Sequence, residues 1–144
     1  MTLKNIKKAV NTALKEKFPD HKIYGADTVE GYTRPSFFVY VTQTFSESTK
    51  NMIHKNVEIE IDFIQISSNE AEAMNFFSAM ENIFGQKLKV GERFLNTSEH
   101  TLDFQGENAN IPVFSFDVEF WDEIKHADNS EKMKEIIMKQ EVRQ

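Results

Sequence analysis

The clearest alternation of apolar and polar residues lies between Asn56 and Ser67. The apolar side chains at every second position are Val57, Ile59, Ile61 and Phe63. Acidic residues fill the positions between them, which is the period of a strand with one buried and one solvated face. The apolar parity shifts after Phe63, and this shift predicts either a bulge or a strand end that is covered on both faces.

A second alternating stretch lies near the C-terminus, and we interpret these two stretches as the middle of one sheet. The apolar members of the second stretch are Phe114, Phe116, Val118 and Phe120. An earlier strand is predicted over residues 36–45, with Phe37 and Phe45 on the same face. The polar residues 47–55 predict a hairpin loop that leads from this strand into the central one.

An amphipathic helix is predicted over residues 2–18, with Thr2 as its N-cap and Pro19 directly after its end. Residues 1–18 have a net charge of +4, whereas the whole chain has −6 and the remainder therefore −10. The lysines that lie mostly off the apolar stripe are Lys4, Lys7, Lys8 and Lys15. They form either a solvated helix face or a contact surface that meets an acidic strand face of another copy or partner.

A second helix is predicted over residues 67–84. Ser67 and Glu70 have the spacing of a capping box, and Gly85 is expected to end the helix in the left-handed conformation. Two shorter strands are predicted near residues 88–95 and 101–105, joined by a turn at residues 96–98.

The order of these elements, with a short strand at residues 22–24, predicts an α+β fold. Hairpin connections imply a mainly antiparallel sheet of about five to six strands with two helices packed on one face. Residues 1–125 are expected to form a single domain, followed by a C-terminal helical extension over residues 126–144. The apolar residues of that extension make only a narrow stripe, so it is predicted to be a peripheral helix, a partner-binding arm or a partly disordered tail. The stripe consists of Met133, Ile136, Ile137 and Met138.

Composition sharpens this picture of the core and of the environment. The 144 residues include 13 phenylalanines, against 3 tyrosines and 1 tryptophan, which predicts a core built largely of rings. There is no cysteine, so the chain has neither disulfides nor thiolate chemistry. No apolar run approaches the length of a membrane span, and the N-terminal residues do not have the pattern of a signal peptide. We therefore expect no association with membranes.

No arrangement of residues typical of catalysis occurs along the chain. The four histidines are scattered without the spacing of metal ligands, and the five glycines form no phosphate-binding loop. No serine lies in a nucleophile elbow. We therefore expect a protein without cofactor, metal site or enzymatic activity.

Acidic residues on the two alternating strands are the remaining candidates for a functional surface. They are Glu58, Glu60, Asp62, Asp117 and Glu119. If the two strands are adjacent and in phase, like charges face each other across the ladder. The pattern favours a solvated strand face, while a glycosidase-like carboxylate pair and an acidic wall that repels phosphate are the alternatives.

Taken in order, these elements resemble the tail terminator proteins of long-tailed bacteriophages and prophages. The resemblance covers residues 3–122. It rests on the amphipathic N-terminal helix and on several short stretches of sequence. These are Phe18–Gly25, Arg34–Val39, Val57–Ile66, Ser68–Glu70 and Val113–Phe120. The hairpin at residues 47–56 is less basic and aromatic than in the family, and the segment after Trp121 has no counterpart in it.

The resemblance implies a structural virion protein that forms a ring, commonly hexameric, at the head-proximal end of the tail tube. Such a ring ends tube polymerisation and presents the surface for head–tail joining. Its expected partners are further copies of itself, the tail tube protein and the head connector or neck protein. DNA is expected to pass through without specific binding, along a lumen faced by some of the carboxylates. The protein would be made in the bacterial host cytoplasm and reside in the virion tail.

Three other functions remain open at this point. A neck or head–tail connector subunit has the same architecture as a terminator. A small hydrolase would use the carboxylate rows, and one of those carboxylates would then lie buried beside a cleft. A small intracellular binding module would stay monomeric and would not bind tail tubes.

Overall fold

The computed structural model describes residues 1–124 as an α+β fold with two helices and a six-stranded sheet. The elements are α1 Leu3–Lys17, β1 Lys22–Tyr24, β2 Ser36–Ser48, β3 Met52–Ile64, α2 Glu70–Phe84, β4 Lys87–Val90, β5 Arg93–Gln105 and β6 Ile111–Glu123. The helical extension that the sequence predicts for residues 126–144 lies outside the described residues.

Helix α1 begins and ends where the sequence predicts. The Thr2 hydroxyl accepts a hydrogen bond from the Asn5 amide at 3.1 Å, which confirms the N-cap. The helix ends at Lys17, because a residue before proline is biased away from helical geometry. Its buried stripe consists of Ile6, Val10 and Leu14. Through this stripe α1 packs on β2 and β4.

The strands form one sheet in the order β1-β2-β3-β6-β5-β4. The pairing of β3 with β6 is antiparallel and places Val57 opposite Val118 and Ile59 opposite Phe116. The prediction that the two alternating stretches form the middle of one sheet is therefore confirmed. Four of the five strand pairings are antiparallel, and the exception is β1, which runs parallel to β2. The sheet is therefore mixed.

Both helices and the inner faces of β2, β3 and β6 enclose one aromatic core. The Phe63 and Phe76 rings lie 5.1 Å apart, and the Phe84 ring stacks on Phe116 at the same distance. Such aromatic pairs contribute about 0.5–1.5 kcal/mol each beyond the burial of their area. The predicted ring-rich core is confirmed.

Helix α2 begins two residues later than the predicted capping box. Its N-cap is Asn69, whose side-chain oxygen accepts a hydrogen bond from the Glu72 amide at 3.1 Å. The buried Gln65 side chain donates to the Asn69 carbonyl at 2.9 Å and accepts from its amide, and these bonds hold the intervening residues in a turn. The prediction of Ser67 as the cap is therefore wrong.

The end of α2 also differs from the prediction. Gly85 has φ −67° and ψ −19°, which is right-handed rather than left-handed. A Cβ atom at this position would lie 2.1 Å from the Glu81 carbonyl oxygen. Glycine is therefore required by the close approach of backbone and not by a positive φ.

Both hairpins differ from the sequence prediction: the first turn is shorter, and the second lies inside the strand predicted near residues 88–95. Strand β2 continues to Ser48 and β3 begins at Met52, so most of the expected polar loop is strand. The second turn lies at Gly91, which has φ 61°, and residues 96–98 belong to β5 instead of forming a turn. Polar residues on exposed strands have the same composition as a loop, which explains both errors.

Two local irregularities change which face a side chain occupies. The register of β2 against β3 shifts between Gln43 and Phe45, so Phe45 lies opposite Asn56 on the face away from the helices. The alternation predicts that Phe45 shares a face with Phe37, and this prediction is wrong. The shift in apolar parity after Phe63 marks the end of β3 and not a bulge. Ile66, beyond the strand end, is 71% exposed.

Candidate functional site

The sheet face that points away from the helices brings all five candidate carboxylates together. We call Glu58, Glu60, Asp62, Asp117 and Glu119 the acidic face. Glu58 lies directly opposite Asp117, and Glu119 lies opposite Asn56. Like charges at directly opposite positions destabilise a sheet, so this face works against the stability that the core provides.

Asp62 is the most perturbed member of the acidic face. Burial and the adjacent Glu60 carboxyl raise the pKa of Asp62 to about 8. Its Oδ1 atom has no hydrogen-bond partner in the described part of the chain. Burial and then the charges of Asp62 and Glu60 also raise the pKa of Tyr40.

Glu99 extends this group of acidic residues onto β5. The pairing of β5 with β6 shifts between Ser98 and Thr101, and Glu99 within that bulge has φ 54°. A hydrogen bond with Asp117, followed by the Asp117 charge, raises the pKa of Glu99. Alternation cannot identify this residue, because a bulge changes the direction of a side chain without any change in composition.

An exposed aromatic group lies beside the acidic face, toward the β2–β3 turn. The His54 ring stacks on Trp121 with centroids 4.4 Å apart, and Phe45 contacts the same ring edge-on at 5.4 Å. His54 also pairs with the Glu119 carboxylate. Trp121 is 48% exposed and Phe45 44% exposed. Exposed aromatic side chains of this kind are enriched at protein interfaces.

The four candidate lysines of α1 lie on the opposite side of the molecule from the acidic face. Helical spacing places Lys4, Lys8 and Lys15 within about 40° of one another, and all three are exposed. Lys7 is half-buried, and its Nζ atom lies over Gly25. The structure therefore brings three of the predicted lysines into one row and separates the fourth.

Asp122 connects the N-terminus to the end of β6. Its carboxylate accepts from the Met1 ammonium group at 2.9 Å and also binds the Arg93 guanidinium. Burial alone would raise the pKa of Asp122, but the hydrogen bonds from Met1 and Arg93 outweigh it and lower that pKa. Sequence reasoning did not find this contact, because the three residues are far apart along the chain.

Two long strands have unpaired edges at the opposite sides of the sheet. β1 pairs only with Ser36–Phe38, and β4 pairs only with Arg93–Asn96. The Thr97 amide also donates to the Gln86 carbonyl at 3.0 Å. Among the described strands, residues 39–48 of β2 and residues 98–105 of β5 therefore have no strand partner on their outer side, and we call them the open edges. Leu102 and Phe104 on the second open edge are 45% and 41% exposed.

Two cavities can be described within residues 1–124. The larger is a groove of about 1130 Å³ beside α1, and the smaller, of about 100 Å³, lies near Arg34. Neither is lined by a member of the acidic face. In the described part of the chain, no group of three or more acidic or histidine side chains is arranged to hold a metal ion. No helix in that range is long and apolar enough to cross a membrane.

A family model described as phage tail terminator protein matches residues 5–131. The chain belongs to this family. The resemblance that the sequence suggested is thereby confirmed, and the protein is a structural component of the phage tail that acts in tail assembly. As a tail terminator it resides in the virion tail and interacts with tail and head components.

Comparisons with individual proteins add little to this assignment. A search of curated proteins found no match. One solved structure shares 11% sequence identity at a TM-score of 0.45, with 87% of this chain and 97% of its own chain covered. A match of that quality supports no conclusion about function.

Proposed function

We propose that this tail terminator forms a homo-oligomeric, hexameric ring that caps the head-proximal end of the tail tube. The ring ends tube polymerisation and then presents the surface that joins the head connector. The subunits are made in the host cytoplasm and bind the tube end before the head is attached.

The two open edges are the observation that carries this proposal. β2 and β5 are separated by three antiparallel pairings, so they run in opposite directions. If copies are related by rotation about an axis along the strands, the β5 edge of one copy meets the β2 edge of the next as an antiparallel pair. Such a contact joins two different patches, and repeated contacts of that kind close into a ring when the rotation allows it.

An inter-subunit sheet would also remove a hazard. Long unpaired edges are templates for aggregation, and soluble proteins usually shorten, charge or cover them. Here the open edges span residues 39–48 and 98–105 and include the exposed Leu102 and Phe104. Pairing with a neighbouring subunit satisfies the backbone groups and covers these two side chains.

The acidic face is proposed to line the lumen of the ring. DNA carries one negative charge per about 1.7 Å of helix axis, and attraction to a basic wall would slow its passage. A wall that carries Glu58, Glu60, Asp117 and Glu119 repels phosphate instead, so DNA passes without specific binding. Because the pKa of Asp62 is about 8, this residue contributes little charge near neutral pH.

Lys4, Lys7, Lys8 and Lys15 are proposed as contacts at the outer side of the ring. In a ring closed through the open edges, the helices face away from the lumen, so these lysines cannot reach the acidic face of a neighbour. Their partners would instead be acidic groups on the helix side of the adjacent subunit or on another tail or head component.

Electron microscopy of the protein mixed with its tail tube protein tests the function. We expect a ring at one end of each tube, and tubes that stop growing when the protein is added during assembly. Tubes assembled without it should be overgrown and lack the ring. Tail tubes from which the head has been lost are the control, because their head-proximal end is known and shows which end the ring binds.

Two outcomes would contradict the proposal. Protein that binds the isolated head connector but never the tube end would be a neck subunit. Protein that remains monomeric at high concentration in the presence of tubes would be neither a terminator ring nor a neck subunit. The first outcome would remove the capping role, and the second would remove the pairing of strand edges as well.

A further inference from the structure

A short strand closes one end of each open edge. β1 covers β2 only over Ser36–Phe38, and β4 covers β5 only over Arg93–Asn96. Just beyond β4, the Thr97 amide donates to the Gln86 carbonyl. A strand that pairs with either open edge must therefore end where the short strand begins.

The two short strands limit an antiparallel pairing of the edges from both sides. β1 lies at the start of β2, and β4 lies at the start of β5. When the two edges pair antiparallel, the end of β5 meets the start of β2, and the end of β2 meets the start of β5. Each short strand therefore blocks a shift in one direction, and only a few registers are left.

The exposed apolar side chains of the β5 edge lie on the helix side of the sheet. Leu102 pairs with the buried Phe114, so the two side chains share a face. The Phe104 ring contacts Phe77 of α2 edge-on at 5.5 Å between centroids. A pairing strand must therefore offer its own helix-side residues to Leu102 and Phe104.

The helix-side positions of the β2 edge are Val39, Val41 and Gln43, because their partners on β3 are fully buried. A shift of one residue would bring the wrong face of β2 against these apolar side chains, so the possible registers differ by two residues. Phe104 can therefore lie opposite any one of these three residues.

The register with Phe104 opposite Val39 conflicts with β1. Tyr24 pairs with Phe38, and the buried Gly25 follows it directly, so the chain after β1 obstructs a second strand beside Val39. Val39 is also fully buried, so it offers no exposed surface to an added ring.

The register with Phe104 opposite Gln43 brings no apolar surfaces together. Gln43 is exposed and polar. Leu102 would lie two residues farther along β2, beyond the shift in register between Gln43 and Phe45 that turns the Phe45 ring to the other face. Neither apolar side chain of β5 would then meet an apolar partner on the helix side.

We propose that adjacent subunits pair their open edges with Phe104 of one copy opposite Val41 of the next and Leu102 opposite Gln43. Val41 is half-buried, so a ring from the neighbouring copy can cover its exposed part. An aromatic residue opposite a β-branched one is a favourable cross-strand pair. The inference rests on the proposed ring and adds the register in which its subunits meet.

The opposite face of the sheet agrees with this register. Asp103 lies opposite Thr42, and Gln105 lies opposite Tyr40. No carboxyl of one copy then lies directly across from a carboxyl of the next, so the pairing avoids like charges at opposite positions.

Disulfide crosslinking of the full chain tests the register, because the native chain has no cysteine. The straight pairs are Val41→Cys with Phe104→Cys and Gln43→Cys with Leu102→Cys. The crossed pairs, Val41→Cys with Leu102→Cys and Gln43→Cys with Phe104→Cys, use the same four positions and are the matched controls. Directly opposite Cβ atoms lie about 4.5–5.5 Å apart, whereas diagonal neighbours lie roughly 7–8 Å apart. We expect disulfides in the straight pairs to form at least about tenfold faster.

These disulfides can only join different chains. Within one subunit the two edges are separated by three strand spacings, or roughly 14 Å, which no disulfide spans. A non-reducing gel should therefore show a ladder of crosslinked oligomers for each straight pair. A mixture of the single variants Val41→Cys and Phe104→Cys should give dimers and no higher oligomer.

Sedimentation velocity of the reduced variants reads ring formation separately from the register. Rings in which a crossed pair reacts faster than the straight pairs would overturn the register and leave the ring in place. Rings that form no interchain disulfide with any of the four pairs would show that subunits meet through other surfaces. If the native protein and all variants are monomeric beside tail tubes, the ring itself fails, and the register fails with it.

Discussion

The two faces of β3 are built from neighbouring residues of one strand, yet they have opposite effects on stability. Val57, Ile59 and Ile61 are fully buried against the helices. Glu58 and Asp62, between and beside them, lie among other carboxyls, and the pKa of Asp62 is raised to about 8. A face that weakens the fold is expected where function requires it. The comparison therefore separates the residues that hold the subunit together from those that we propose to face the lumen.

The largest effect should come from the helix-facing side. Phe116→Ala removes a fully buried ring that stacks on Phe84. We expect a loss of about 3–5 kcal/mol in the free energy of unfolding, measured by urea denaturation. Ser115→Ala, on the opposite face of the same strand, is the matched control and should stay within about 0.5 kcal/mol. Equal losses in both variants would break the comparison.

A smaller effect, with a defined pH dependence, is expected at Asp62. Its pKa is about 8 in the folded protein, whereas the ordinary value for an aspartate is 3.8, so stability falls as pH rises from 4 to 8. Asp62→Asn should remove this fall and stabilise the protein at pH 8. Because the side chain is partly exposed, we expect about 1–2 kcal/mol after allowance for solvent screening.

Thermal unfolding of both proteins between pH 4 and pH 9 measures this difference. Asp103→Asn is a suitable control, since Asp103 is exposed near the end of β5. The contrary result would be a native protein that gains stability relative to Asp62→Asn between pH 5 and pH 8. Ionisation of Asp62 would then not destabilise the fold.

Glu58→Lys should slightly raise the stability of the subunit, whereas reversal of charge on the acidic face should impair DNA passage. It replaces a like-charge pair with an attractive one across from Asp117, and we expect a gain of about 0.2–1 kcal/mol. Combined with Glu60→Lys, it should leave rings intact but impair DNA passage, read as infectivity of assembled particles. Normal infectivity of that double variant would exclude the proposed role of the acidic face.

The smallest effect on stability is expected at the exposed lysines of α1. Lys4→Glu with Lys8→Glu should change the free energy of unfolding by no more than about 0.5 kcal/mol, because both side chains are solvated. If they contact neighbouring subunits, ring formation should weaken, as measured by sedimentation velocity. Lys22→Glu, an exposed lysine outside α1, is the control. Unchanged ring formation would remove the lysines from the interface.

Alternation predicted the faces of β3 and β6 because burial on one side imposes a period of two residues. It failed where a single local contact decides the geometry. The bulge before Phe45 moves that ring to the other face, and the Gln65 side chain shifts the start of α2 from Ser67 to Asn69. Neither contact has a signal in a single sequence.

The candidate site was predicted only in part for a similar reason. The alternation identifies the five carboxylates, and the pairing of β3 with β6 places them on one face of the sheet. Glu99 was missed because it sits in a bulge, and the open edges were missed because they depend on how little of β2 and β5 the short strands cover. Such features follow from the sheet topology and not from composition.

The most direct test of the central claim is the fraction of tail tubes that are capped when the open edge of β5 is altered. Leu102→Lys places a charge on the open edge, whereas Phe94→Lys places one on the part of β5 that β4 already covers. Counted by electron microscopy, tubes should be capped by the native protein and by Phe94→Lys but not by Leu102→Lys. Full capping by a folded Leu102→Lys variant would contradict a ring closed through strand edges.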